Sequence, residues 1–334
     1  MSTLAGLLAL LLHMALMLAT APLLIGLARK AKARMVGREG PPIVQPWRDI
    51  ARLLRKQPVV ADSTSWLFRA APTVSLAATL AAAALVPSFA LGMLSGDASD
   101  LLVLAGLLAL GRAALALAGM DTGTSFGGIG ASREMTFAVV AEPALLLVIY
   151  TLALLAGTTN LDSIVNLIAS GVLGLRISMA MALVAACLVA IAECGRVPVD
   201  NPATHLELTM VHEAMVLEYS GRHLALIELT AALRLLVWTS LILVIFAPFG
   251  IAPRPAEGGA WIALLWVRGL LAWGAKVTVL GLILAAFETT RAKLRVFRVP
   301  ELLGAALLLG FLAAILLFVS QGFAAELPIS GGLG

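Results

Sequence analysis

Charge is what this 334-residue sequence has least of: Asp, Glu, Lys and Arg make up 13% of it, where a soluble domain carries about a quarter. With 61% hydrophobic residues and a mean hydropathy of +1.01, a water-soluble fold is excluded. Short alternating strands separated by turns are also missing, which excludes an outer-membrane barrel. Cysteine is nearly absent. Cys187 and Cys194 sit seven residues apart in one apolar run, a spacing that suits neither a disulfide nor an iron-sulfur cluster, which needs about four close thiolates. They read as small core residues, so any redox centre lies in a partner. Histidine is scarce as well, with four in the chain. "HEAMV" at 212–216 has Val216 where a zinc-protease helix needs its second histidine. His205, His212 and His223 lie near carboxylates, but we read no metal site from them. No serine, histidine and acid set suggests a nucleophile. "FGGIG" at 126–130 abuts a membrane span rather than a strand, which removes a nucleotide-binding reading.

What is present in abundance is long apolar runs. Eight of them, roughly 4–28, 69–93, 100–119, 136–157, 172–194, 223–249, 259–287 and 300–322, approach or exceed the ~20 residues that carry a helix across ~30 Å of hydrocarbon. The expected fold is all-α: a single polytopic membrane domain over 1–334 with about eight transmembrane helices. Met1–Leu27 resembles a signal peptide at "LATA". However, no Lys or Arg precedes the run and a basic cluster follows it, so it is read as the first span.

The basic residues set the orientation. Ten of the 23 Lys and Arg fall in 29–69; Arg291, Lys293, Arg295 and Arg298 form a second cluster, and Arg133, Arg196 and Arg222 occupy the other loops of that side. The loops of the opposite side contribute Arg254 alone. By the positive-inside rule, the loops after spans one, three, five and seven face the cytoplasm and both termini lie outside, in a cell inner membrane. The pI near 9.4 reflects this bias and implies no nucleic acid; the same charges suit anionic lipid.

Three cytoplasmic loops follow, at 29–68, 194–222 and 288–299. In the first, Pro41, Pro42 and Pro46 make a turn-rich start. Ile50, Leu53 and Leu54 then face one way and Arg48, Arg52, Arg55 and Lys56 the other, the pattern of an interfacial amphipathic helix. This loop is either a membrane anchor or a docking surface for a cytoplasmic subunit. In the second loop, Asn201 can cap a helix that starts at Pro202 and stops at Gly221, about 18 residues long. Glu207 and Glu218 would share one face of it, and His205 and His212 another.

Charges also fall within or beside the spans: Glu142, Glu193 and Glu228, with Arg112, Arg176, Arg234, Arg268 and Lys276. Each costs roughly 2.5–3.5 kcal/mol to insert, so such groups face the bundle interior and mark an ion path, or else pair statically to fix packing. Arg176 and Arg268, nearer the outer side, can snorkel.

The stretch "AECGRVPVDNPATHLELTMVHEAMVLEYSG", residues 192–221, resembles the membrane-arm subunit of respiratory complex I that adjoins the quinone cavity. It is closer still to the counterpart in group 4 nickel-iron hydrogenases of the formate hydrogenlyase type. Glu193, Arg196, Pro198, Asp200, Glu207, Glu218 to Gly221 and Glu228 carry the likeness. "GREGPPIVQPWRDIARLLRK", Glu142 and "ETTRAKLRVFRVPELLG" extend it over nearly the whole chain. Val199 and "NPATH" depart from the quinone-dependent relatives, which favours the hydrogenase branch.

The resemblance implies a subunit without a catalytic centre or bound cofactor of its own. Its partners would be cytoplasmic hydrogenase large and small subunits with iron-sulfur subunits, which hold the nickel-iron site and the clusters, and antiporter-like membrane subunits. Glu142, Glu193, Asp200, Glu207, Glu213, Glu218 and Glu228 would form the proton and coupling path. Arg112, Arg196, Arg234 and Lys276 would pair or support, and Arg38, Gln45, Asp49, Arg52, Arg291 and Arg295 would dock partners. The alternatives are a quinone-site pumping subunit of a complex I-like NADH dehydrogenase, a stand-alone secondary transporter, and a passive anchor.

Overall fold

The computed structural model describes residues 2–171, 176–200, 211–254, 261–292, 294 and 298–326. The described residues form α1 (Ser2–Met35), α2 (Gln45–Leu54), α3 (Trp66–Leu85), α4 (Leu101–Asp121), α5 (Ser125–Ala156), α6 (Leu161–Ala169), α7 (Ile177–Glu193), α8 (His212–Val216), α9 (Gly221–Phe246), α10 (Ile262–Thr290) and α11 (Val299–Glu326). Seven of these are long and apolar enough to cross a membrane, and α7 is a shorter apolar helix that joins them. The chain is an all-α, multi-pass membrane protein.

Local chemistry sets several helix ends. Asp100 caps α4 by accepting from the amides of Leu102 and Val103, and Thr124 caps α5 through Gly127, each satisfying amides that have no partner within the helix. The Thr124 cap places the start of α5 eleven residues before the expected start of span four at 136, so Arg133 and Glu134 belong to a helix and not to a loop. The α3 helix stops at Leu85, eight residues short of the expected 93. Its connector turns back instead, where Leu91 donates to Ala252 and Ala252 to Phe89.

The α9 helix is the axis of the bundle, with α1, α2, α3 and α7 against it, while α5 and α11 form the most extensive helix pair. Met35, Trp66, Asp121, Ser125, Glu193, Gly221, Thr290 and Val299 lie at one end of the bundle, where the Lys and Arg clusters also fall; we call it the basic face. At the opposite face Asp162 accepts from the amide of Gly92 and from Arg254. Burial pushes the Asp162 carboxyl above its ordinary value.

The α2 helix is the amphipathic helix expected after Pro46. Pro46 and Ile50 are buried, Arg48 and Arg52 are exposed, and Trp47 donates to the Ala19 carbonyl of α1 at 3.0 Å. The long acidic helix is not found. Of its residues, 201–210, including His205 and Glu207, lie outside the described residues. The remainder is the single turn α8, after which Leu217 and Glu218 form a turn. The reason is packing on both sides. Gly130 of α5 is so close that a Cβ there would stand 2.9 Å from the Val211 carbonyl and from Ala214, which seats α8 on α5. Five residues after Ala214, Tyr219 is stacked on Phe68 of α3 with centroids 4.0 Å apart. One straight helix does not satisfy both contacts.

Candidate functional site

The site is a string of ionisable groups that runs from the basic face into the bundle. At its inner end, Arg112 of α4 donates Nη1 to Glu193 of α7 and Nη2 to Glu142 of α5. Arg112 and Glu193 are buried, and the Glu142 side chain is 47% exposed. A guanidinium is suited to this position because its planar fork serves two carboxylates at once without losing its charge. A cavity of 230 Å³ opens beside the triad, lined by Leu102, Gly106, Leu145 and Trp238.

Glu134 lies eight residues, about 12 Å, from Glu142 along α5. Arg112 and Arg234 both act electrostatically on Glu134 and on Glu193. Arg234, on α9, is 3% exposed, and its Nε and one Nη bond to none of the described groups. Leaving buried guanidinium nitrogens without hydrogen bonds is costly. The charge of Arg234 is met electrostatically by Glu134 and Glu193.

Nearer the basic face is a cavity of 330 Å³, lined by Arg29, Lys32, Arg196, Asp200, His212, Glu213, Glu228 and Glu288 among others. Asp200 is buried and accepts from the His212 amide at 3.1 Å, which ties α8 to the loop after α7. Glu288 of α10 pairs with Lys32 of α1 and, at 3.5 Å, with Arg196. Arg29 and Glu228 also line a neighbouring cavity of 100 Å³ with Asp49, Pro46 and Ile50 of α2. The amphipathic helix thus closes one side of the polar chamber.

Burial pushes the His212 imidazole down to about 4, with the positive charge of Arg234 adding to the effect. It is neutral at pH 7. The sign of the pH effect follows: the unfolded chain takes up this proton near 6.5 and the folded one only near 4, so stability is lost as pH falls through that window. Wild type is expected to lose about 1 kcal/mol per pH unit more than His212→Asn between pH 6.5 and 4.5. Melting temperatures of the two proteins across that range test this, and parallel curves would remove His212 as the cause.

The model of the family described as NADH dehydrogenase matches residues 7–319. The chain belongs to that family. It is 35% identical over 302 residues to formate hydrogenlyase subunit 4 of Escherichia coli (strain K12), covering 90% of this chain and 94% of the relative. It is 38% identical over 235 residues to hydrogenase-4 component C of the same organism, covering 70% and 73%. NADH-quinone oxidoreductase subunit 8 of Rhodothermus marinus is 28% identical over 276 residues, covering 77% and 80%. Among solved structures, a chain of the membrane-bound sulfane sulfur reductase, an archaeal respiratory membrane complex, superposes with a TM-score of 0.74 at 21% identity, covering 94% of this chain and 99% of that one. This member of the NADH dehydrogenase family therefore stands with membrane subunits of complex I-like hydrogenases and shares its fold with a respiratory complex.

Of the residues expected in the site, Glu142, Glu193 and Arg112 meet directly, and Asp200, Glu213, Glu228 and Arg196 share the larger cavity. Glu218 is exposed in the turn after α8 and lines neither chamber. Lys276 stands apart: its Nζ donates to the carbonyls of Ala247 and Phe249, the first of them the C-cap of α9. A cation there complements the negative end of the helix, a supporting role. Among the docking residues, Gln45 and Arg52 both donate to Asp49, and Arg38 and Arg291 are exposed. Glu207 and Arg295 lie outside the described residues.

Two acids of the site escaped the sequence reading. Glu134 fell outside a span drawn from 136, although Thr124 as a helix cap would have extended that span. Glu288 falls at the start of the expected basic loop at 288–299; it is the one acidic residue of α10, and only the fold brings Lys32 and Arg196 to it.

Proposed function

We propose that this chain is the membrane-anchoring and proton-coupling subunit of a hydrogen-evolving complex of the formate hydrogenlyase or energy-converting hydrogenase type. In this reading the basic face is cytoplasmic, in the inner membrane with both termini outside, and the nickel-iron and iron-sulfur centres belong to hydrogenase large and small subunits and iron-sulfur subunits docked there. Cys187 and Cys194 are free thiols within α7 and just beyond its end, fewer than the roughly four thiolates an iron-sulfur cluster takes, which supports assigning the centres to the partners.

The observation that carries the proposal is the linked set of acids and arginines from Glu228, Glu213 and Asp200 through Glu134 and Arg234 to the Glu193–Arg112–Glu142 triad. Members of this set act on one another electrostatically, so a charge arriving at the chamber is felt farther along it. The half-exposed Glu142 supports a lateral exit. A charged group is costly against lipid, and a neighbouring antiporter-like subunit packed on α4 and α5 would cover it.

The higher identity to the two hydrogenase relatives favours this branch over a quinone-site subunit of an NADH dehydrogenase. The test is Glu193→Gln in the assembled complex within sealed vesicles. Proton movement coupled to hydrogen evolution is expected to fall by about tenfold, with the evolution itself persisting when an uncoupler is added. Unchanged coupling would leave the chain a passive anchor, and a chain that purifies alone, without metal-bearing partners, would bring the transporter forward.

A further inference from the structure

A cleft separates α7 from α10. The α7 helix packs on α5, α9 and α11, and α10 on α1 and α9, so the space between α7 and α10 is left open and floored by α9. It forms a trough of 390 Å³, within the ~300–1,000 Å³ of ligand sites. Its walls are almost wholly apolar: Leu183, Val184 and Ile191 on one side, Ile283 and Leu284 on the other, and Trp238 beneath. Ile283 and Val184 are 57% and 49% exposed, so the trough opens sideways into the hydrocarbon.

The trough has one polar end, at the basic face. Arg196 lines it there, and the Arg291 guanidinium lies 5.9 Å from the ring of Phe287, which also lines it. Glu288 is the adjacent carboxylate and is shared between Lys32 and, at 3.5 Å, Arg196. Lys32, Arg196 and Arg291 thus gather around this carboxylate, and Arg291 is the exposed cation among them at the mouth.

We propose that the trough binds one anionic phospholipid of the inner leaflet, an acyl chain lying between α7 and α10 and the phosphate held by Arg196 and Arg291. The depth, the apolar walls and the cationic mouth match that amphiphile, because basic pockets between transmembrane helices at the cytoplasmic side recognise lipid head groups. An apolar partner helix would fill the trough but would bring no anion to Arg291 at its mouth. The lipid would also seal the flank of the polar chamber, since Cys194 and Arg196 line both spaces.

The test uses the assembled complex in nanodiscs that contain phosphatidylglycerol with a photoactivatable group on one acyl chain, followed by mapping of labelled peptides. Label is expected on 183–191 and 280–287 in excess of the lipid-facing surface around Leu308 and Phe318. Arg291→Gln is expected to lower that label about fivefold, and Val184→Trp with Ile283→Trp, both at exposed positions that a folded chain tolerates, to abolish it. Equal labelling by a phosphatidylcholine probe would overturn the head-group assignment. Label spread evenly over α10 and α11, or a cross-link from the trough to a partner's helix, would overturn the site.

Discussion

Arg112→Leu is expected to cost about 3–5 kcal/mol of stability, the loss seen when one member of a buried ion pair is removed and the other stays. The stranded group is Glu193, which is buried beside the end of α7; Glu142 is half exposed and can turn toward solvent or a neighbour. With its hydrogen-bonded cation gone and only the field of Arg234 remaining, Glu193 must take up a proton or draw in water. The double variant Arg112→Leu/Glu193→Gln removes both charges and is expected to recover a large part of the loss. Thermal unfolding of wild type, single and double variants in one detergent decides the matter. If the single variant melts with wild type, the triad carries no stability and its conformation is held by packing alone. Recovery of stability in the double variant without recovery of coupled proton movement would separate the structural role of Arg112 from the protonic role of Glu193.

Gly221→Ala is expected to cost about 2–4 kcal/mol and to loosen the first basic loop from the acidic one. Gly221 has φ +52°, a region an L residue enters with strain, and a Cβ there would stand 2.5 Å from the Gln57 carbonyl oxygen. That carbonyl belongs to a strap pinned at the next positions, where Val59 donates to Ser220 Oγ and Ser220 Oγ donates to the Val59 carbonyl. Tyr219, whose hydroxyl donates to the Phe68 carbonyl at 2.9 Å, completes the join. Faster tryptic cleavage after Arg55 or Lys56 would report the release. Gly128→Ala is the control, since nothing lies within 4 Å of a Cβ there, and it is expected to be neutral or slightly stabilising. Equal cleavage rates in the two variants would mean that the strap is held elsewhere.

The join bears on coupling. The strap follows directly on α2, whose Asp49 faces the same small cavity as Glu228. A subunit docked on the exposed side of α2 would press on the Ser220–Gly221 end of the acidic loop through the strap and on the cavity of Glu228 through Asp49.

Much of this protein was legible in its sequence. The membrane fold, the spans to within a few residues at most ends, the amphipathic helix after Pro46 and the choice of Glu142, Glu193 and Arg112 all follow from local rules: apolar length, charge scarcity and the cost of burying a charge. Where the reading failed, the deciding interaction was between segments distant in the chain. The acidic loop lacks a long helix across 211–220 because Gly130 admits α8 so closely while Phe68 takes Tyr219 elsewhere. Glu288 became part of the site because α1 and α10 pack together and bring Lys32 across 256 positions of sequence. Arg234 meets acids of other helices, Glu134 and Glu193, only electrostatically, and among the described residues its Nε and one Nη have no hydrogen-bonding group. Composition and periodicity determined which segments enter the membrane, because each residue pays for its own transfer from water. Which carboxylate meets which arginine was decided only by the packing of the bundle, because at 3 to 4 Å the identity of a partner depends on helix contacts that no local pattern encodes.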